Sequence, residues 1–204
     1  MFWIKIGIII IGSAYAVLIP YIIYKAILST NLDLHEQTLS FLSNKTIFNK
    51  KTAKGYTHLL LFTALMHYLF FGLLTEYYFL AEEERLLYYI EYSAIFITIL
   101  ACVRHNMLPY SFKTLRATLL RLGHNILAAV VFLYIPLLII TFQLLILDDH
   151  IFIAIGGLII VVLIIITTLT SIIKQGINGI TELVFIFGIS VWSIFVALCT
   201  FLFY

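Results

Sequence analysis

Charge is what this sequence has least of: 22 of its 204 residues are Asp, Glu, Lys or Arg. A soluble domain carries roughly a quarter charged residues, so this chain has too little polar surface to cover a core in water. Cysteine is scarce as well. Cys102 and Cys199 lie inside apolar runs, where a thiol acts as a small hydrophobe, and two such residues supply neither a disulfide framework nor a zinc pattern. A net charge of +2, with no basic run interleaved with aromatics in a polar segment, points away from nucleic acid as a partner. No low-complexity tail, Gly/Ser linker or change of composition divides the chain, so a single domain over residues 1–204 is the simplest organisation.

What the chain has in abundance is apolar side chains, 63% of the total. A helix needs about 20 of them to cross a hydrocarbon layer about 30 Å thick. Six stretches nearly free of charge have that length: 6–24, 55–75, 86–103, 122–147, 150–173 and 183–204. Together they hold 130 residues and one charge, Glu91, and the other 21 charges crowd into 74 residues. Residues 159–166 are apolar at every position, unlike the alternation of a barrel strand, and helices are the remaining way to span a bilayer. The predicted fold class is therefore all-α: a polytopic membrane protein with a six-transmembrane-helix bundle. Lys5, a short apolar core and Ala14-Tyr15-Ala16 resemble a signal peptide; the segment is read as a retained first helix.

Lys and Arg set the expected orientation. Loops one, three and five share one side and carry 10 of the 12 basic residues, among them Lys50, Lys51, Lys54, Arg104, Arg116 and Arg121. The other side collects Glu76, Glu82, Glu83, Glu84, Asp148 and Asp149. This predicts cytoplasmic loops one, three and five in a plasma or inner membrane, with both termini outside. The sequon at Asn44-Lys45-Thr46 is then a chance match. Asp148-Asp149 makes a tight hairpin of helices four and five. Loop one is long, and Asp33-Leu34-His35-Glu36 has the spacing of a capping box. Leu34, Thr38, Phe41 and Leu42 follow at helical spacing, predicting a short interfacial helix.

Ionisable groups at membrane depth cost a few kcal/mol and usually have partners. Counted from the acidic ends of helices two and three, His67 and Glu91 lie within about 4–5 Å of the same depth. They are expected to form an intramembrane polar pair, either a structural hydrogen bond between helices or a proton-bearing site. His58 is nine residues from His67 and on the opposite face, which excludes a metal site on helix two, where ligands must be three or four residues apart. Haem and retinal lack suitably placed histidine pairs and a mid-helix lysine, so no cofactor is expected. On the basic face, His35, Ser40 and His124, with Arg104 as a phosphate contact, are candidates for lipid head-group chemistry, although Ser40 lacks a nucleophile-elbow context. The simpler reading is a solvated face whose Lys50, Lys51, Lys54, Arg104, Arg116 and Arg121 touch anionic head groups.

Three places carry a family resemblance: Leu39-Ser40-Phe41-Leu42-Ser43 in loop one, Met107-Leu108-Pro109 after helix three, and His124-Asn125 with Ala128-Ala129 and Phe132 in helix four. There the chain resembles the DUF998 family, small six-helix membrane proteins grouped with the Frag1/DRAM/Sfk1 proteins, over about residues 33–132. Ser43 stands where that family has glycine. The resemblance implies an integral membrane protein concerned with lipid organisation or with other membrane proteins, and Ser40, Pro109 and His124 as the positions that carry over. It also implies an external loop one, whereas the lysines place that loop in the cytoplasm; the charge-based orientation is kept. The leading expectation is a non-catalytic, lipid-interacting protein or accessory subunit of a membrane complex, with anionic lipids and a protein partner as contacts. The alternatives are a lipid head-group-directed enzyme and a small proton-coupled transporter using His67 and Glu91.

Overall fold

Each apolar run becomes a helix because nothing in hydrocarbon other than the chain itself can satisfy its backbone N–H and C=O groups. The computed structural model describes residues 1–44, 47–103 and 115–203. It contains α1 (Phe2–Thr30), α2 (Lys50–Tyr77), α3 (Glu84–Cys102), α4 (Leu115–Leu145), α5 (Ile151–Gln175) and α6 (Gly179–Phe203), and a short 3-10 helix in loop one over Leu39–Ser43. All six long helices have the length and apolarity to cross a membrane, and among the described residues there is no strand. The chain is an all-α, multi-pass membrane protein.

Several helices run past the charge-free stretches, and in α1 and α2 a local cap sets the boundary. The Asn49 carboxamide oxygen accepts the Thr52 N–H at 2.8 Å and starts α2 ahead of Gly55. Asn31 ends α1 in the left-handed region at φ 50°. α4 begins at Leu115, so Arg116, Arg121 and His124 are helical residues. His124 lies well inside α4 and does not open it.

Neighbours in sequence are neighbours in space, and α6 closes the ring by packing on α1 as well as α5. The outer surface is apolar; Ile155, Ile159, Leu163 and Ile166 of α5 are all exposed, as suits a helix facing lipid. Close approach needs small residues. A Cβ on Gly12 would stand 2.7 Å from the Phe70 ring and 2.9 Å from Ala197, and one on Gly157 would overlap the Gln143 amide.

The interior differs along its length. Near loops two and four it is filled by Phe70, Phe71, Phe142 and Trp192, each wholly or nearly wholly buried. Trp192 stacks on Phe71 at 5.4 Å between ring centres and meets Phe142 edge-on at 6.2 Å. With its oxygen turned to Trp192, Gln143 accepts the indole N–H at 2.8 Å and donates to the Ile153 carbonyl at 3.2 Å. Tyr78 closes this end with a 2.7 Å hydrogen bond to Thr200.

The opposite end is closed by loop one, in a form that departs from the expected interfacial helix. Asp33 caps a single turn: its carboxylate accepts the His35 N–H at 2.9 Å and its carbonyl the Gln37 N–H at 2.8 Å. The chain then extends at Thr38 and winds into the 3-10 helix, with Leu39, Ser40, Leu42 and Ser43 buried. The reason is competition for carbonyls. Gly179 N–H donates to Gln37 O at 2.8 Å, Ile180 N–H to Leu34 O at 3.2 Å and the Asn178 amide to His35 O at 3.2 Å. A helix running on from Asp33 would spend the Leu34 and Gln37 carbonyls internally; instead they cap the otherwise unpaired N–H groups that open α6, while the His35 carbonyl holds the Asn178 side chain.

Candidate functional site

Under loop one the ring is hollow. A cavity of about 130 Å³ lies among α1, α2, α3, α4, α6 and the 3-10 helix, walled by apolar side chains such as Ile19, Leu59, Ile97, Val131 and Phe185. α5 adds nothing to its lining. Thr63, Ala128, Phe132 and Ile186 stay half-buried because they border this space.

Polar groups gather at its loop-one end. Glu182, in the first turn of α6, faces the cavity, and its carboxylate accepts the Leu39 N–H. Asn178 sets that turn by accepting the Thr181 N–H at 3.1 Å, and an acid there is favoured by the helix dipole. Ser40, His124 and Tyr56 lie at the same end, and Thr63, Ser190 and Tyr15 are the other polar residues of the described lining. Ser40 and Thr38 hydroxyls are 2.7 Å apart, and His124 Nδ1 is 2.7 Å from the Val103 carbonyl.

Two of the three residues singled out for head-group chemistry, Ser40 and His124, thus border one cavity. His35 does not join them; its side chain is exposed on the Asp33 turn and its carbonyl is what binds α6. Lys50, Lys51, Lys54 and Arg116 are exposed at the same end of the bundle, and Arg121 is half-buried. Arg104 and Pro109 lie outside the described residues, as does most of the sequon.

The floor of the cavity is Tyr15, and beneath it lies His67. The expected His67–Glu91 pair is replaced by His67–Ser93. His67 Nε2 is 2.8 Å from Ser93 Oγ, and the Ser93 hydroxyl donates to the Ile90 carbonyl at 2.9 Å. With that proton spent, Ser93 accepts from Nε2–H, leaving Nδ1 to accept the Tyr15 hydroxyl at 3.5 Å. The imidazole is satisfied within protein, tying α1, α2 and α3 together. Glu91 is exposed on the outer face of α3. A similar depth does not suffice, because azimuth decides: residues two apart on a helix differ by about 200°, so Ser93 on the inner stripe with Ile90 and Ile97 puts Glu91 outside.

Glu182 is the site residue that the sequence reading passed over, because it sits just ahead of the stretch 183–204 and reads as a loop charge. The pattern Asn178-Gly179 followed by Glu182 marks a helix start and so an acid one turn into the bundle.

A six-helix ring that is solid at one end and hollow under loop one defines the class: a multi-pass membrane protein with an internal apolar cavity. Comparison with family models, curated proteins and solved structures finds no match to this chain.

Proposed function

We propose that this is a non-catalytic, lipid-interacting membrane protein whose hollow end receives an apolar group and whose basic end contacts anionic head groups. The observation that carries this reading is the cavity itself. An apolar cavity of about 150 Å³ is enough to take a benzene-sized group, and the 130 Å³ here matches a few carbons of a chain. Lys50, Lys51, Lys54 and Arg116 stand exposed at the same end, each worth about 1 kcal/mol against an anionic surface. In this reading that end faces the cytoplasm, as its excess of Lys and Arg sets, against the external loop one that the resemblance to the DUF998 family implies; the resemblance accords with the lipid role alone. The hydrolase reading ranks second because Ser40 lies in a 3-10 helix without a nucleophile-elbow context and His35 stays apart from it.

The test is mass spectrometry of the protein purified from native membrane in mild detergent. Lipid retained by the wild type and lost in Ala128→Phe, which fills the cavity, is expected; equal retention in both would overturn the reading. A second role, as an accessory subunit, is favoured by Glu91, a carboxylate on the lipid-facing side of a spanning helix, since such groups normally have partners. Loss of a co-purifying protein in Glu91→Ala is its expected signature.

A further inference from the structure

Among the described residues the cavity lining holds no cation, and most of its hydroxyls spend their proton elsewhere, with the Tyr56 hydroxyl near Glu182 as a neutral donor. Thr63 Oγ1 donates to Leu59 O at 2.9 Å and Ser190 Oγ to Ile186 O at 2.9 Å. Both hydroxyls therefore spend their proton on their own helix and turn lone pairs toward the space they line. The Tyr15 hydroxyl proton goes to His67. Glu182 brings a carboxylate, which when ionised accepts only. Its hydrogen bond in the described structure is the one from Leu39, and no Lys or Arg is among the described lining residues. A carboxylate in an apolar, partly closed space without a cation is expensive. A phosphate or fatty-acid carboxylate in that place would add like charge.

We propose that the cavity binds the head of a single-chain amphiphile carrying a protonated primary amine, with Glu182 as its counter-ion. The ammonium brings three donors and one positive charge, a charge that none of the described lining residues supplies, and the first carbons of the chain lie against Ile19, Val131 and Phe185. This rests on the cavity being a lipid site, the reading given above, and specifies the head group it selects. The structural role of Glu182, holding Leu39, explains its attraction to loop one. It does not explain why a charge, and not a neutral Gln able to accept the same bond, borders the cavity.

The probes are dodecylamine, its N-acetyl derivative, dodecanol and dodecanoate, added to the full protein in phosphatidylcholine nanodiscs. Comparing each probe between wild type and Glu182→Gln cancels its partition into lipid. Dodecylamine is expected to lose about tenfold or more in affinity in Glu182→Gln, as for a desolvated charge pair, while dodecanol is unchanged. If Glu182→Gln does not fold, dodecylamine against N-acetyldodecylamine on the wild type reads the same preference. Amine affinity unchanged in Glu182→Gln, N-acetyldodecylamine matching the amine, or dodecanoate matching it, would each overturn the inference. Were all probes to bind alike and all be lost in Ala128→Phe, the lipid site would stand and the amine preference would fall. Were none affected by Ala128→Phe, both readings would fall together.

Discussion

The two ends of this bundle solve the same packing problem in opposite ways. Toward loops two and four, four large aromatic side chains fill the ring, and Gln143 finds its partners in Trp192 and Ile153. Toward loop one, the same six-helix ring is walled by Ile, Leu, Val and Phe yet keeps 130 Å³ empty, with a carboxylate at its edge. Lipid tails are as apolar as these side chains, so helix association in a membrane depends on close packing and hydrogen bonds. The solid end therefore carries the stability of the ring, and the hollow end forgoes it. A void that the chain closes with its own loop is an arrangement suited to a guest.

The comparison is broken most severely at Trp192. Trp192→Ala empties the centre of the solid end and is expected to cost about 3–5 kcal/mol, the range for large-to-small core changes, read as a fall in thermal unfolding temperature in detergent. Adding volume should separate the two ends next. Gly157→Ala presses on the Gln143 amide and is expected to cost about 1–3 kcal/mol. Ala128→Leu, which grows into the cavity, should stay within about 1 kcal/mol of wild type or gain stability. Equal losses for the two would remove the distinction between solid and hollow. Between the ends, Ser93→Ala takes away the His67 acceptor and is expected to cost about 1 kcal/mol. Glu91→Gln, on the outer face, should leave the unfolding of the isolated chain unchanged; the reverse order would restore the pairing of His67 with Glu91. The smallest effect is outside the ring. Phe79 is exposed and ends α2 at φ 57°, a conformation that costs an L-residue roughly 1–2 kcal/mol. Phe79→Gly is expected to raise stability by a few tenths to about 1 kcal/mol, the remainder being lost to the freer unfolded chain.

The six spans and the all-helical class were legible because they follow from transfer energies summed over about 20 residues, which no single contact overrides. Loop one was half legible. Its apolar positions Leu39 and Leu42 are buried, but its helix type depended on Gly179 and Ile180, some 140 residues away, which claim its carbonyls. The polar pair failed for a different reason. Depth is a one-dimensional quantity that the sequence supplies, whereas which side of α3 turns inward is decided by the apolar stripe Leu86, Ile90, Ile97 and Ala101, and Glu91 is off that stripe. Ser40 and His124 were named from chemistry and from resemblance, and both border the cavity. Glu182 was missed because an acid next to a span reads as a boundary marker until its helix start is recognised.

The hydrogen bonds from Gly179 and Ile180 back to loop one also bear on biogenesis. The sixth helix leaves the ribosome after the other five, and until it arrives the Leu34 and Gln37 carbonyls have no N–H to receive and α1 has one flank bare. Completion of the bundle is thus a late docking event in which the youngest segment locks onto one of the oldest.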